Sequence, residues 1–257
     1  FDPKRDANPF FHYLEAMWIL AGRNDVKTLA HILPKMAEYG SGGTFHGAYG
    51  YRLRNNWARD QIGQAIRLLQ EKPDSRQVVM SIWDPDEDLG AVTKDMPCND
   101  MIMLKIRDGK LNLTVCNRSN DVVWGCYGAN VVQFSMLHMY MAAMIGVGVG
   151  TYVQQSDSFH VYEDNPYWQA FKLEYNADPL AYLSRQFSSP YDKIGEANLF
   201  TTGITRFDSD LLMFWDGFED VAEGVSTFIH PENFLSWAVQ DAACMWNALY
   251  CCRQKQY

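Results

Sequence analysis

Basic residues are too few in this 257-residue chain to grip a polyanion: 22 Lys plus Arg face 31 Asp plus Glu, a formal charge of −9 with a pI near 5.1. Nucleic-acid binding draws on counterions released by clustered Lys and Arg, so direct nucleic-acid binding is excluded and any phosphate must be held by a few local arginines. Only six cysteines occur, at positions 98, 116, 126, 244, 251 and 252. They lack both C-x-x-C spacing and the density of a secreted scaffold, which excludes a zinc module and points to a reducing, cytoplasmic compartment with no metal. An unbroken apolar run of about 18 residues, the length of a membrane span, is missing too. The longest apolar stretch, 129–149, is interrupted by Gln133, Ser135 and His138 and reads as a buried helix. Repeats, low-complexity tracts and linkers are absent, so residues 1–257 are expected to form one domain, with 47% hydrophobic content to supply its core. Phe1 carries no initiator Met, basic leader or cleavage site, so no signal peptide is expected and the natural N-terminus is expected upstream.

What is present has a mixed α/β order. Asn8-Pro9 predicts a helix start, with Phe10, Phe11, Leu14, Met17, Trp18 and Ala21 at helical spacing and Glu15 at the edge of that face. Residues 77–83 read as a strand closed by Asp84-Pro85, and 101–106 with 110–116 as a hairpin about Asp108-Gly109. Residues 130–145 read as a helix apolar on nearly every face, broken by Gly146, Gly148 and Gly150. Those glycines follow a helix instead of a strand, which argues against a dinucleotide loop and the flavin enzyme it would suggest. His160 and Tyr162 are expected on one face of a strand, and Pro231 is expected to open a last helix with Phe234, Leu235, Ala238, Ala242, Met245 and Leu249 inward.

One segment concentrates reactive side chains: Pro97-Cys98, the hairpin, Asn117-Arg118-Ser119-Asn120-Asp121, then the turn 125–130 ending at Asn130. A hairpin returns Arg118 beside Cys98, where a guanidinium favours the thiolate. A buried structural cysteine next to a polar turn fits the same spacing.

With these residues the chain resembles the thymidylate synthase and pyrimidine nucleotide hydroxymethylase superfamily. Collinear matches are Glu15-x-x-Trp18, Gly47-Ala-Tyr49-Gly50, Asp74-Ser75-Arg76, Ser81-Ile-Trp83, Pro97-Cys98, Arg118-Ser119-x-Asp121, the Gly125 turn into Asn130, and His160-x-Tyr162, spanning roughly residues 5 to 165. The resemblance implies a thymidylate synthase-like α/β (α+β) fold, a large mixed sheet packed by a central buried helix and flanking helices. It implies one-carbon transfer from 5,10-methylenetetrahydrofolate, as co-substrate, to C5 of a pyrimidine nucleoside monophosphate. Cys98 would add to C6, Asn130 and a water held by Glu15 would serve the base edge, and Tyr49 would help remove the C5 proton. Arg118 and Ser119 would bind the phosphate with Arg76 from the partner of a homodimer, His160 and Tyr162 the sugar hydroxyl, and Asp121 and Trp124 the folate.

The departures from the family pattern carry chemistry. The turn before Asn130 has one residue more than Gly-x-Pro-Phe-Asn and no Pro, Asn99 replaces the His after the nucleophile, and 32–39 lacks the synthases' tryptophans. The chain ends in a helix bearing Cys251-Cys252 in place of the synthase tail, and the synthases' N-terminal strand and its phosphate arginine have no counterpart in the sequence. A synthase keeps water from the exocyclic methylene that remains on the base, whereas a hydroxymethylase lets water add. The expected product is therefore a hydroxymethylated deoxyuridylate or deoxycytidylate, in the manner of phage enzymes, with a divergent thymidylate synthase as alternative. The resemblance implies that Asn130 at the base-reading position favours uracil over cytosine, since an amide can donate to O4. An inactive nucleotide-binding homologue would be expected to have lost Cys98, Arg118 or Arg76, and all three are present.

Overall fold

The computed structural model describes residues 7–178, 199–200 and 202–254. Its N-terminal helix α1 (Pro9–Leu20) starts as the sequence dictates, with Asn8 Oδ1 accepting from Phe11 N at 3.0 Å and Pro9 in the first turn. Ten of its residues are buried, including Glu15, because α1 is packed by helices on more than one side. Glu15 is thus inside the protein and not at the edge of an amphipathic face.

Short helices α2 (Val26–Ile32) and α3 (Tyr49–Arg54) precede α4 (Gln61–Glu71), strand β1 (Val78–Ser81) and α5 (Pro85–Asp88). The strand expected over 77–83 is shorter because Ile82 N and Trp83 N both turn to Asp100 O, ending the ladder. Strands β2 (Asn99–Arg107) and β3 (Lys110–Asp121) form the hairpin, whose turn residues Asp108 and Gly109 take φ of 51° and 69° as a two-residue turn requires.

Helix α6 (Asn130–Ile145) runs through the middle, against α1, α4, β3 and the strand β4 (Gly148–His160) that follows it. Gly146, at φ 86°, caps the helix. Gly148 and Gly150 belong to β4, so only the first glycine breaks the helix. β3 and β4 pair in parallel, as a helical crossover allows, and the sheet order β1-β2-β3-β4 is therefore mixed.

After β4 come α7 (Pro166–Ala177), α8 (Phe207–Ala222) and α9 (Trp237–Gln254). The helix expected from Pro231 is only a single turn there, and α9 starts at Trp237. Asp210 Oδ2 accepts from Leu235 N and Ser236 N, both at 2.8 Å, which holds the chain extended at Phe234 and leaves Leu235 exposed. One continuous hydrophobic core runs from Phe11 to Trp246. No helix among the described residues is long and apolar enough to cross a membrane.

Candidate active site

A cleft of about 520 Å³ opens between α1, α3, the 94–98 loop, the end of β3 and the start of α6. Its lining brings together Glu15, Tyr49, Cys98, Ser119, Asp121 and Trp124, with Asn130, His160 and Tyr162 completing the wall. Helical α1 and α3 meet at Gly50, where a Cβ would lie 2.1 Å from Ile19 O, so the bare glycine lets Glu15 and Tyr49 approach one site.

Cys98 precedes the first residue of β2, and Arg118 N donates to Cys98 O at 3.0 Å, the juxtaposition expected from the hairpin. The guanidinium does not project into the cleft. Arg118 Nε donates to Pro97 O at 2.7 Å and its terminal nitrogen to Met96 O at 3.3 Å, so it buttresses the loop carrying the nucleophile. Burial pushes the Cys98 thiol up, and Asp95 and Asp100 add to this, while Arg118 and a hydrogen bond with Ser119 oppose it. The expected net lowering by the guanidinium is therefore overridden by desolvation.

Glu15 is held by Gln133 Nε2, which donates to Oε2 at 2.6 Å, and burial raises its pKa to about 7 despite that bond. This suits proton exchange near neutral pH. Tyr49 stacks on Phe134, faces Cys98 and Asn99, and is held protonated by burial.

With the extra residue before it, Asn130 still lines the cleft. Residues Val122–Ala129 form a widened π-type turn kinked at Tyr127 and Gly128, where the backbone leaves helical geometry, and Asn130 N bonds Gly125 O five residues back, so the irregular turn takes up the additional residue. Asn130 is buried at the head of α6 and is oriented by a chain of amides. Cys126 O, which can only accept, receives Gln154 Nε2 at 3.2 Å; Gln154 Oε1 then accepts Asn120 Nδ2 at 3.0 Å, and Asn120 Oδ1 accepts Asn130 Nδ2 at 3.4 Å. Asn120 Nδ2 also donates to Ser156 Oγ at 2.9 Å. A Cβ on Gly125 would fall 2.7 Å from Asn120 Oδ1, so this glycine leaves room for the chain.

Asp121 caps the π-helix by accepting from Trp124 N, and its buried Oδ2 has no hydrogen-bond partner. The Trp124 ring beside it is half-exposed. His160 is the last residue of β4, paired with Asp121. The strand expected through Tyr162 stops there because β3 also ends, leaving no backbone to pair; Tyr162 sits in the following loop, its ring edge-on to His160 at 5.2 Å. Arg76 lies outside this cleft, exposed in a separate depression with Lys72, Asp74, Ser75 and Gln77. Lys35, Met36 and Tyr39 line the cleft where the family's tryptophans are missing.

Residues that patterns in the sequence did not single out for the site are Asp95, Gln133, Asn120, Gln154 and Asn165. Gln133 had a signal, an amide three residues after Asn130 on a mostly apolar helix. No group of three or more His, Cys, Asp or Glu side chains among the described residues could hold a metal ion.

The family model described as thymidylate synthase matches residues 10–197. The chain is 44% identical over 215 residues to a deoxyuridylate hydroxymethyltransferase of Pseudomonas phage M6, covering 82% of this chain and 61% of that protein. It is 43% identical over 173 residues to the deoxyuridylate hydroxymethyltransferase of Bacillus phage SP01, covering 63% and 45%. Among solved structures, thermostable thymidylate synthase A from Bacillus subtilis superposes with a TM-score of 0.55 at 26% identity, over 65% of this chain and 62% of that one. The T4 phage thymidylate synthase gives 0.53 at 22% identity over 64% and 62%, a likeness of fold. The chain thus spans 45–61% of the length of these curated relatives.

Proposed function

The chain belongs to the thymidylate synthase family, and from that premise we propose that it hydroxymethylates C5 of a deoxyuridine monophosphate, with methylenetetrahydrofolate as one-carbon donor. The observation that carries this reading is the single cleft joining Cys98, Glu15, Tyr49, Asn130 and Asp121, in a chain similar to phage deoxyuridylate hydroxymethyltransferases. Cys98 adds to C6 of the pyrimidine, which makes C5 nucleophilic. Asn130 reads the base edge, Glu15 relays a proton there through water, and Tyr49 assists loss of the C5 proton. Ser119 and Arg118 serve the phosphate end, Arg118 chiefly by bracing the loop below Cys98, and His160 and Tyr162 the sugar. Asp121 and Trp124 hold the folate, which supplies the carbon unit when bound. The cleft wall at 35–39 carries no tryptophan, which fits a methylene open to water.

One domain acting as a homodimer is part of this reading. The outward sheet face carries an apolar row, Val79 opposite Met103 and, across Thr114, Val153, with Met101 beside it and Phe159 further along β4. Exposed apolar surface of this kind suits a second copy. That copy supplies Arg76 to the phosphate site, since Arg76 is exposed away from its own chain's cleft. Six free cysteines fit a reducing host cytoplasm.

The reaction run in heavy-oxygen water with each pyrimidine monophosphate and methylenetetrahydrofolate tests the proposal. Mass spectrometry is expected to show a deoxyuridylate gaining a hydroxymethyl group with solvent oxygen, and tetrahydrofolate as folate product. A methylated nucleotide with dihydrofolate would make the chain a divergent thymidylate synthase, and hydroxymethylation of deoxycytidylate in preference would overturn the choice of base.

A further inference from the structure

One carboxylate in the cleft has no task in the chemistry above. Asp95 lies three residues before Cys98 and lines the same cavity as Glu15, Tyr49 and Cys98. Its position is fixed by the backbone of the 46–48 turn: Gly47 N donates to Asp95 Oδ2 at 2.7 Å. A Cβ at Gly47 would sit 2.6 Å from Asp95 O and 3.0 Å from Pro97 N, so the bare glycine lets the 95–97 loop seat there. The other carboxylate oxygen has no hydrogen-bond partner among the described residues, and the side chain is half-buried, within reach of water.

A negative charge beside a nucleophilic thiol works against thiolate formation, and Asp95 does push up Cys98, Tyr49 and Glu15. A carboxylate kept where it opposes the first step points to a use in a later one. Resting on the hydroxymethylation reading, we propose that Asp95 is the general base that takes a proton from the water adding to the exocyclic methylene on C5.

The step balances. The water oxygen bonds the exocyclic carbon and its proton passes to the Asp95 carboxylate; the electron pair of the C5–methylene double bond moves to the C5–C4–O4 enolate. Its return restores the C5–C6 double bond and expels the Cys98 sulfur as thiolate. Asp95 then gives its proton to solvent. Burial raises the Asp95 pKa to about 6, held from going higher by the Gly47 amide and by His46 and Arg52. The groups facing it are Glu15 from α1, His46, Tyr49 and Arg52 from the 46–54 segment, and Cys98 from its own loop. A base of that strength is ionised at neutral pH yet still accepts a proton.

The test is Asp95→Asn, which keeps an acceptor for Gly47 N. Turnover with deoxyuridylate and methylenetetrahydrofolate is run in the presence of 2-mercaptoethanol, whose thiolate captures the methylene without a base. The ratio of hydroxymethyl to thioether nucleotide is expected to fall about a hundred-fold, within the 10²–10⁴ range of a general base. A ratio unchanged from the parent overturns the proposal. Without folate, the pH midpoint for Cys98 alkylation is expected to move down in Asp95→Asn; no shift would remove Asp95 from the nucleophile's surroundings and also overturn it. A parent protein that makes neither hydroxymethyl nor thioether product refutes the hydroxymethylation reading instead, and the alkylation result still reads out the placement of Asp95.

Discussion

Glu15 shows what one residue costs and provides. Its pKa in the folded protein, about 7, lies above the ordinary 4.5, so folding takes up a proton between those values. The stability tied to its neutral form is complete below about pH 4.5 and is lost as the pH climbs to 7, where the buried carboxyl must ionise. Glu15→Gln keeps a partner for Gln133 and carries no charge. Relative to the parent, its gain in unfolding free energy is expected to be about 2–4 kcal/mol larger at pH 8 than at pH 4.5, by denaturant melts at both. Activity should fall in the same variant. Equal gains at the two pH values would mean that Glu15 ionises without penalty. The Gln154 amide offers a second test at this scale. Gln154→Leu removes one of the two acceptors of Asn120 Nδ2, leaving Ser156 Oγ, so the amide chain that orients Asn130 is loosened, and the proposed preference for uracil over cytosine nucleotides in turnover is expected to relax by up to about ten-fold, the worth of one lost hydrogen bond.

Helices α1 and α3 form a unit because each supplies one of the proposed acid-base groups, and both depend on Gly50. Its added Cβ would strike the Ile19 backbone, which cannot rotate aside as a side chain can. Gly50→Ala is expected to destabilise the fold by about 1–3 kcal/mol, the range for overpacking, and to lower kcat by drawing Glu15 and Tyr49 apart. Chemical denaturation and steady-state kinetics check both effects; an unaltered kcat would show that the helices shift together. The π-helix at Val122–Ala129 is the other element that decides the site. An insertion in a straight α-helix rotates everything beyond it by about 100°, whereas here the widened turn takes the extra residue and Asn130 still faces the cleft.

At the scale of the whole molecule, the two arginines proposed for the phosphate are divided. Arg118 lies beneath the cleft, bonded to the Pro97 and Met96 carbonyls, and Arg76 outside it, so the proposed shared phosphate site needs a second chain to bring Arg76 to it. Mixing Arg76→Ala chains with Cys98→Ala chains is expected to restore activity in heterodimers, where one of two sites has both residues. No recovery despite subunit exchange, followed by mixed-mass species, would sink the shared site. The acidic net charge fits this design, with phosphate gripped by a few placed guanidiniums instead of by a general basic field.

The sequence by itself determined the helix starts at Asn8 and Asn130, the hairpin about Asp108-Gly109, the buried character of residues 130–145, and the chain order of the reactive residues. These follow from caps, turn residues and periodicities that act over a few neighbouring positions, so they survive without knowledge of the rest. Only the tertiary structure decided that Glu15 is inside and bonded to Gln133, 118 residues away. It alone ended β4 at His160 because β3 ends opposite, delayed α9 until Trp237 because Asp210 captures two amides, and placed Asp95 against Gly47. Burial, hydrogen-bond partners and the proton affinities they set depend on what the chain brings back from far along its length, and local pattern carries no record of that.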